Sequence, residues 1–229
     1  MADVEKIGGI LKEAGFEIDR TTAEKFDIYL KFLVEYNLLS NITSIDEEDA
    51  PAKHFADSLP GAEFILPGAK VVDVGSGGGF PGVPLKLLRD DIELTCIDAN
   101  AKKCAFLRAL SPKLGVKFDV KHIRAEEAGE YREVFDAAVT RAVSELNVLS
   151  ELCLPLVSVG GRLIAYKGKL SEEELRSGVR AAEKLGARLY TVSRYGLFGA
   201  ERAIVVFEKV SPVPPGFPRR FKRIVSDPI

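Results

Sequence analysis

The chain has 229 residues, of which 46% are hydrophobic and 29% are charged. This composition is typical of a globular protein and excludes wholesale disorder, collagen and a coiled coil. No apolar run approaches the ~18 residues that a membrane span needs, and residues 1–6 lack the layout of a signal peptide. We therefore expect a cytoplasmic protein with one large domain, alone or with a small extension.

The net charge of −2 is unevenly distributed along the chain. Residues 1–60 carry 13 acidic and 6 basic side chains, whereas the remaining residues carry 21 acidic and 26 basic ones. A polyanionic partner should therefore meet the second part of the chain.

The cysteines and histidines do not form a metal-binding pattern. Cys96, Cys104 and Cys153 contain no C-x-x-C pair, and the chain has only two histidines. We expect no metal site and no disulfide framework, and we interpret the three cysteines as buried thiols.

Residues 1–60 are predicted to form a small helical cap on a larger core. Apolar residues recur at helical spacing over residues 4–14, and the capping-box pattern at Thr21 and Glu24 predicts the start of a second helix. Acidic residues at 46–49 could cap a third helix. That helix would carry His54, Asp57 and Ser58.

Residues 61–210 alternate between strand and helix patterns. Five strands are predicted between residues 71 and 166, and two more, near 188–194 and 202–209, have no helix between them. Strand–helix alternation requires parallel crossovers, whereas a helix-free link suits an antiparallel hairpin. We predict a seven-stranded, mostly parallel α/β sheet with a C-terminal antiparallel hairpin. Residues 211–229, with five prolines and a net charge of +3, are predicted to form an extended basic tail.

The most informative segment is a glycine-rich loop between the first predicted strand and the following helix. Its sequence is Asp73-Val74-Gly75-Ser76-Gly77-Gly78-Gly79-Phe80-Pro81-Gly82. In an α/β sheet such a loop faces the crevice where ligands bind, and its glycines permit a close backbone approach. Gly77, Gly79 and Gly82 also match the dinucleotide fingerprint, but that match alone is weak.

Acidic residues favour S-adenosylmethionine over a dinucleotide. The carboxylate of Asp73, two residues before the first glycine, would repel a pyrophosphate and attract the ammonium group of a methionyl moiety. Asp98 follows at the end of the second predicted strand, where it can accept hydrogen bonds from ribose hydroxyls. After the third strand, Glu126 either contacts the adenine amino group or is a plain helix-start carboxylate. We expect S-adenosylmethionine as cofactor and S-adenosylhomocysteine as product.

The segment after the fourth predicted strand, Thr140-Arg141-Ala142, bears on the methyl acceptor. It contains neither an Asn/Asp-Pro-Pro-aromatic motif, which grips an exocyclic amine, nor a Pro-Cys nucleophile. The acceptor atom is therefore expected to be nucleophilic already. Guanine N7 qualifies because it bears no proton, and catalysis would then depend on positioning and electrostatics.

Several short motifs occur together and in order along the chain. They are Asn41-Ile42-Thr43, His54-x-x-Asp57-Ser58, the glycine loop with its Phe80-Pro81-Gly82 extension, Asp98-x-x-x-Lys102-Lys103, Phe106-Leu107, Phe135-Asp136, Arg141-Ala142 and Lys167-Gly168. Over residues 25–210 this set resembles the glucose-inhibited division protein B family, the bacterial 16S rRNA guanine-N7 methyltransferases. The resemblance implies a Rossmann-like, S-adenosylmethionine-dependent methyltransferase domain with an N-terminal helical cap. It also implies a guanine in the 530 loop of 16S rRNA as substrate.

The resemblance implies roles for particular residues as well. The cofactor contacts would be Asp73, Gly75, Gly77, Gly79, Phe80, Asp98, Ala99, Asn100, Ala125, Glu126 and Arg141. Arg141 is also the expected catalytic residue. Basic candidates for RNA contact are Lys102, Lys103, Arg141, Lys167, Arg219, Arg220, Lys222 and Arg223. His54, Asp57 and Ser58 either brace the cap against the glycine loop or line the guanine pocket.

The expected partner is 16S rRNA within the small ribosomal subunit or an assembly intermediate. We expect the protein to be a monomer that binds neither a membrane nor a metal ion. Two other classes of function stay open from the residues alone. One is an NAD-dependent oxidoreductase with the same fold, and the other is a methyltransferase that acts on another RNA, a protein or a small molecule. A non-enzymatic RNA-binding module is disfavoured by the joint presence of Asp73, the glycine loop and Asp98.

Overall fold

The computed structural model of the protein describes residues 2–229. Its centre is a seven-stranded sheet in the order β3-β2-β1-β4-β5-β7-β6. The strands are β1 (Lys70–Val74), β2 (Glu93–Asp98), β3 (Asp119–His122), β4 (Phe135–Arg141), β5 (Val157–Lys167), β6 (Ala187–Leu197) and β7 (Ala200–Lys209). Strands β1 to β5 pair in parallel, and β7 runs antiparallel to both β5 and β6. The predicted fold class is confirmed.

Seven α-helices accompany the sheet in the described residues. They are α1 (Ala2–Glu13), α2 (Arg20–Asn37), α3 (Gly82–Leu88), α4 (Ala101–Leu114), α5 (Leu146–Cys153), α6 (Glu172–Lys184) and α7 (Phe221–Ser226). None of the helices within residues 2–229 combines the length and the apolar character needed to span a bilayer.

Each face of the sheet has its own hydrophobic core. Successive strand residues point to opposite faces, so Val71 of β1 joins one core and Val72 the other. The first core contains α1 to α4, and the second contains α5 and α6. The N-terminal helices thus share a core with the sheet rather than enclosing one of their own.

The start of α2 differs from the sequence expectation. The N-cap is Asp19, whose carboxylate accepts a hydrogen bond from Thr22 N at 2.7 Å. The predicted capping box is wrong, because Thr21 already lies in the first helical turn and Glu24 pairs with Arg20 at 3.0 Å. An aspartate at this position satisfies the same free N–H groups.

The third helical segment expected in the cap is present, but it is not a regular α-helix. Residues Pro51–Phe55 form a π-helical turn, and Ala56–Phe64 continue as a 3₁₀ helix. Pro60, inside the second segment, has no N–H and cannot take part in a regular α-helical ladder. His54 therefore lies on the π-turn, while Asp57 and Ser58 lie on the 3₁₀ segment.

The C-terminal residues are not an extended tail. They include α7, and Val213 and Ile224 are buried in the second core. The expectation of an extended tail was based on the prolines. The segment docks instead because burying these apolar side chains is more favourable than leaving them exposed to water. The division into residues 1–60, 61–210 and 211–229 as separate units stays a prediction.

Candidate active site

A cavity of about 700 Å³ opens at the carboxyl ends of the parallel strands. One wall is the glycine loop after β1, and the opposite wall is the π-turn and 3₁₀ segment of the cap. Its polar and aromatic lining comprises Lys53, His54, Asp57, Ser76, Phe80, Asp98, Lys103, Arg141, Tyr166, Lys167, Tyr195 and Arg202. The position is the one at which open α/β sheets bind ligands.

The backbone conformation of the glycine loop explains the need for glycine at positions 75 and 77. Gly75 and Gly77 have φ of +70° and +56°, a region that L-residues with a side chain rarely adopt. A Cβ at Gly75 would lie 2.7 Å from Val143 Cγ2, whereas one at Gly77 would enter the cavity. Gly77 N donates to Asp98 Oδ2 at 2.8 Å, so the loop is fixed to the end of β2.

Asp73 lies beneath this loop rather than in the cavity wall. It is fully buried, and its Oδ2 accepts a hydrogen bond from Gly82 N at 2.9 Å, while Oδ1 has no partner among the described residues. Burial raises the pKa of Asp73 to about 7. The position supports a role in shaping the loop, and it does not offer the direct contact with a methionyl ammonium expected from the sequence.

Aromatic stacking fixes the cap to the glycine loop. The His54 ring stacks on Phe80 with centroids 4.1 Å apart, and Tyr29 of α2 stacks on the same ring at 5.4 Å. The Tyr29 hydroxyl also donates to the Gly78 carbonyl. A Cβ at Gly79 would lie 2.5 Å from that hydroxyl, so Gly79 is needed for this packing. The structure thus gives Gly79 a packing position outside the cavity lining.

A buried ion-pair cluster joins the cap to the ends of two strands. Arg141, at the end of β4, places Nη1 3.2 Å from Asp57 Oδ2, and Arg202 of β7 places Nε 2.6 Å from Asp57 Oδ1. Arg141 Nη1 also lies 3.3 Å from the carbonyls of Lys53 and His54. One carboxylate therefore holds two guanidinium groups at the cavity wall.

His54 is neutral in this environment. Burial, and then the charge of Arg141, lower the pKa of His54 to about 3. Arg141 can only donate, so His54 Nδ1, at 3.3 Å from Arg141 Nη2, is the acceptor. The proton is then on Nε2, which donates to Thr43 Oγ1 at 2.7 Å. Ser58 is fully buried and donates to the His54 carbonyl at 2.5 Å. This geometry supports bracing for all three residues, and His54 and Asp57 also line the cavity.

The basic residues predicted from the sequence fall in different places. Lys103 and Lys167 line the cavity, and Lys167 Nζ is held by Glu174 at 2.6 Å. Lys102 faces a separate surface pocket beside residues 37–41. Arg219 does not extend toward solvent, because its guanidinium pairs with the buried carboxylate of Glu151 at 2.6 Å. Its role as a free RNA contact is therefore not supported.

The remaining predicted cofactor residues lie around rather than in the cavity. Asn100 caps α4, accepting from Lys102 N at 2.9 Å, and Asp98 Oδ1 accepts from Asn100 N at 2.7 Å. Ala99 accepts from His122 through its carbonyl. Glu126 lines a second pocket, of about 490 Å³, and Ala125 begins the 3₁₀ turn that carries it.

Outside the glycine loop, sequence reasoning missed four polar or aromatic residues of the cavity lining: Lys53, Tyr166, Tyr195 and Arg202. The last two come from the β6–β7 hairpin, and burial raises the pKa of Tyr195 to about 12. No local motif marks them, since their place depends on β7 pairing with β5, where Ala203 lies opposite Lys167.

The residues present fit S-adenosylmethionine. The loop leaves open space at Gly77, Asp98 lies at the cavity edge, and the lining includes the aromatic ring of Phe80. Within residues 2–229, no group of three or more His, Cys, Asp or Glu side chains is arranged to hold a metal ion.

Comparisons with known proteins agree with this geometry. The family model GidB, rRNA small subunit methyltransferase G, matches residues 22–204. The chain is 40% identical to ribosomal RNA small subunit methyltransferase G of Lactobacillus delbrueckii subsp. bulgaricus over 221 residues, 92% of each chain. It is also 40% identical to the protein of that name from Bacillus cereus over 229 residues, 95% of each chain.

Among solved structures, a methyltransferase from Pyrococcus furiosus superposes with a TM-score of 0.56 at 15% identity. The match covers 66% of this chain and 80% of that one, and it supports the fold alone. The family match and the two relatives together show that this chain belongs to the GidB family of rRNA small subunit methyltransferases G.

Proposed function

We propose that the protein transfers the methyl group of S-adenosylmethionine to N7 of a guanine in the 530 loop of 16S rRNA. Family membership makes the protein an S-adenosylmethionine-dependent methyltransferase of small-subunit rRNA. The guanine, its N7 atom and the residues that act on them are the proposal.

The choice of N7 rests on one observation: the side chains at the cavity wall that could act as a general base are already engaged in hydrogen bonds or ion pairs. Both oxygens of Asp57 are held by arginines, and both oxygens of Asp98 accept from backbone N–H groups. His54 is neutral, and its Nδ1 is engaged by Arg141. Among the described lining residues, no free general base is therefore left to remove a proton, and N7 is a guanine nitrogen that needs none.

The chemistry then needs only displacement in line. S-adenosylmethionine, when bound, would supply a methyl group on a cationic sulfur, with S-adenosylhomocysteine as the leaving group. Acceptance of that methyl group by the N7 lone pair would place the positive charge on the guanine ring and would require no proton transfer. The protein accelerates such a step by holding the two reactants in register and excluding water.

Arg141 is proposed to orient the reactants from the cavity wall. Its guanidinium is fixed by Asp57 and by two carbonyls, so its direction is set before a ligand arrives. Gly75, Gly77, Phe80 and Asp98 are proposed to hold the cofactor beside it. Lys103 lies at the same cavity and suits a phosphate backbone, whereas the charge of Lys167 is already paired with Glu174.

The partner under this proposal is the small ribosomal subunit or an assembly intermediate, and the protein acts as a monomer in the cytoplasm. The sequence pI of about 5.9 favours recognition of a shaped particle over tight binding to naked RNA.

A substrate that lacks the acceptor atom tests the proposal. Small-subunit particles assembled on 16S transcripts containing 7-deazaguanosine should accept no methyl group, whereas particles on ordinary transcripts should accept one per particle. Methylation of the deaza particles would show that another atom is the acceptor.

A further inference from the structure

The second pocket lies between two parts of the chain that are far apart in sequence. One side is the turn after β3, with Arg124, Glu126 and Glu127, and the other is the tail segment 218–221. The pocket has a volume of about 490 Å³. Its aromatic wall is Phe221, the first residue of α7, which is 42% exposed and lies under the Arg124 guanidinium at 5.8 Å.

The carboxylate of Glu126 has hydrogen-bond acceptor capacity that its salt bridge does not occupy. Its side chain is only 8% exposed, and the salt bridge to Arg124 Nη1 is long, at 3.9 Å. This separation exceeds a hydrogen bond, so the carboxylate keeps acceptor capacity toward the pocket. A nearly buried acceptor beside an exposed aromatic face suits a planar ring that carries an amino group.

The tail is held in this place by a buried ion pair. Arg219 donates to Glu151 through its backbone N at 2.8 Å and its Nη2 at 2.6 Å, and the Glu151 side chain is fully buried. Arg132 adds two hydrogen bonds, to the Val213 carbonyl at 2.8 Å and the Phe217 carbonyl at 2.7 Å. These contacts bind the tail to the body along its length.

Both walls of the pocket rest on the same helix. The α5 helix packs against the turn Ala125–Glu127 and against α7, and its Glu151 is the anchor of the tail. The distance between the two walls is therefore set by one rigid element.

We propose that the C-terminal tail, through Phe221, forms one wall of the adenine end of the cofactor site, so that cofactor affinity depends on the docked tail. This inference rests on the proposed function, because it needs S-adenosylmethionine as the cofactor, and it takes up the sequence expectation that Glu126 faces the adenine amino group. It gives residues 218–221 a part in binding the cofactor rather than the RNA.

The test compares two exposed residues of the same short helix. Phe221→Ala removes the aromatic wall, whereas Val225→Ala shortens a side chain that is 52% exposed and does not line the pocket. Calorimetric titration of the full-length protein should show S-adenosylmethionine binding about tenfold more weakly to Phe221→Ala, since stacking on an aromatic ring contributes energies of this order. Val225→Ala should bind like the wild type, and both variants should keep the wild-type melting temperature without ligand.

A second ligand separates the adenine end from the rest of the site. 5′-Methylthioadenosine has adenine and ribose but no amino-acid part, and its affinity should fall by the same factor in Phe221→Ala. If Phe221→Ala bound both ligands as tightly as the wild type does, the proposed role of Phe221 would be contradicted and the proposed function would remain intact. A wild type that binds no S-adenosylmethionine would overturn both.

Discussion

Arg141 and Asp57 stand 84 residues apart in the chain, yet Arg141 Nη1 lies 3.2 Å from Asp57 Oδ2. The pair joins the end of β4 to the cap across the cavity, and Arg202 occupies the other carboxylate oxygen. The cap is thus tied to the sheet at the wall of the candidate cavity.

Removing Asp57 should therefore loosen the cap. Asp57→Ala leaves two guanidinium groups without their counter-charge, which we expect to lower the free energy of unfolding by roughly 2–4 kcal/mol. Asp49→Ala is the matched control, because it breaks the exposed pair with Lys53, and exposed pairs contribute about 0–1 kcal/mol. Urea denaturation of the two variants measures the difference, and equal losses would contradict the role of the cluster.

Substitution of Gly75 tests whether backbone strain or a steric clash in the glycine loop weakens cofactor binding. Gly75→Ala and Gly115→Ala both place a side chain at positive φ, +70° and +61°, at a cost of about 1–2 kcal/mol. Only at Gly75 does the new Cβ meet another residue, Val143, at the cavity wall. Calorimetry should show S-adenosylmethionine binding at least about tenfold more weakly to Gly75→Ala alone. A similar loss in Gly115→Ala would mean that general destabilisation is the cause.

The sequence was sufficient for the sheet and the glycine loop because both depend on local patterns. Strand–helix alternation fixes parallel crossovers, and Asp73 to Gly82 is a contiguous motif. The Arg141–Asp57–Arg202 cluster was not predictable, since it depends on which strands become neighbours. The docked tail was missed because Glu151 and Arg219 are 68 residues apart and neither has a local signal.

The buried carboxyl of Asp73 predicts an unusual dependence of stability on pH. Its pKa of about 7 in the folded protein is above the ordinary value of 3.8, so the unfolded chain loses its proton first. The free energy of unfolding should therefore fall as pH rises from about 4 to 7, and stay low above that.

The variant Asp73→Asn removes this titration with little change in shape. At pH 8 it should be more stable than the wild type by roughly 2–4 kcal/mol, provided that the side-chain amide oxygen still accepts the hydrogen bond from Gly82 N. The difference should disappear near pH 4. Denaturation series across this range measure it, and a stability difference that does not depend on pH would show that Asp73 is ionised in the folded protein.

Substitution of an exposed basic residue and of a basic residue in a buried ion pair should have different effects. Lys102 is exposed, and we expect Lys102→Ala to reduce the log–log salt slope of binding to the small subunit by about one unit. Arg219→Met should leave the slope unchanged but cost about 3 kcal/mol or more of stability, because it leaves Glu151 buried without its partner. Filter binding at several salt concentrations and urea denaturation check both, and the reverse pattern would restore Arg219 as an RNA contact.

The position and type of the methylated nucleoside test the central claim most directly. Small subunits from cells that lack the gene for this protein should be incubated with the purified protein and S-adenosylmethionine, and their 16S rRNA analysed by nuclease mapping and mass spectrometry. We predict one new 7-methylguanosine, located in the 530 loop, in the treated sample only. A methyl group on another atom or outside that loop, or no new methylation, would contradict the account.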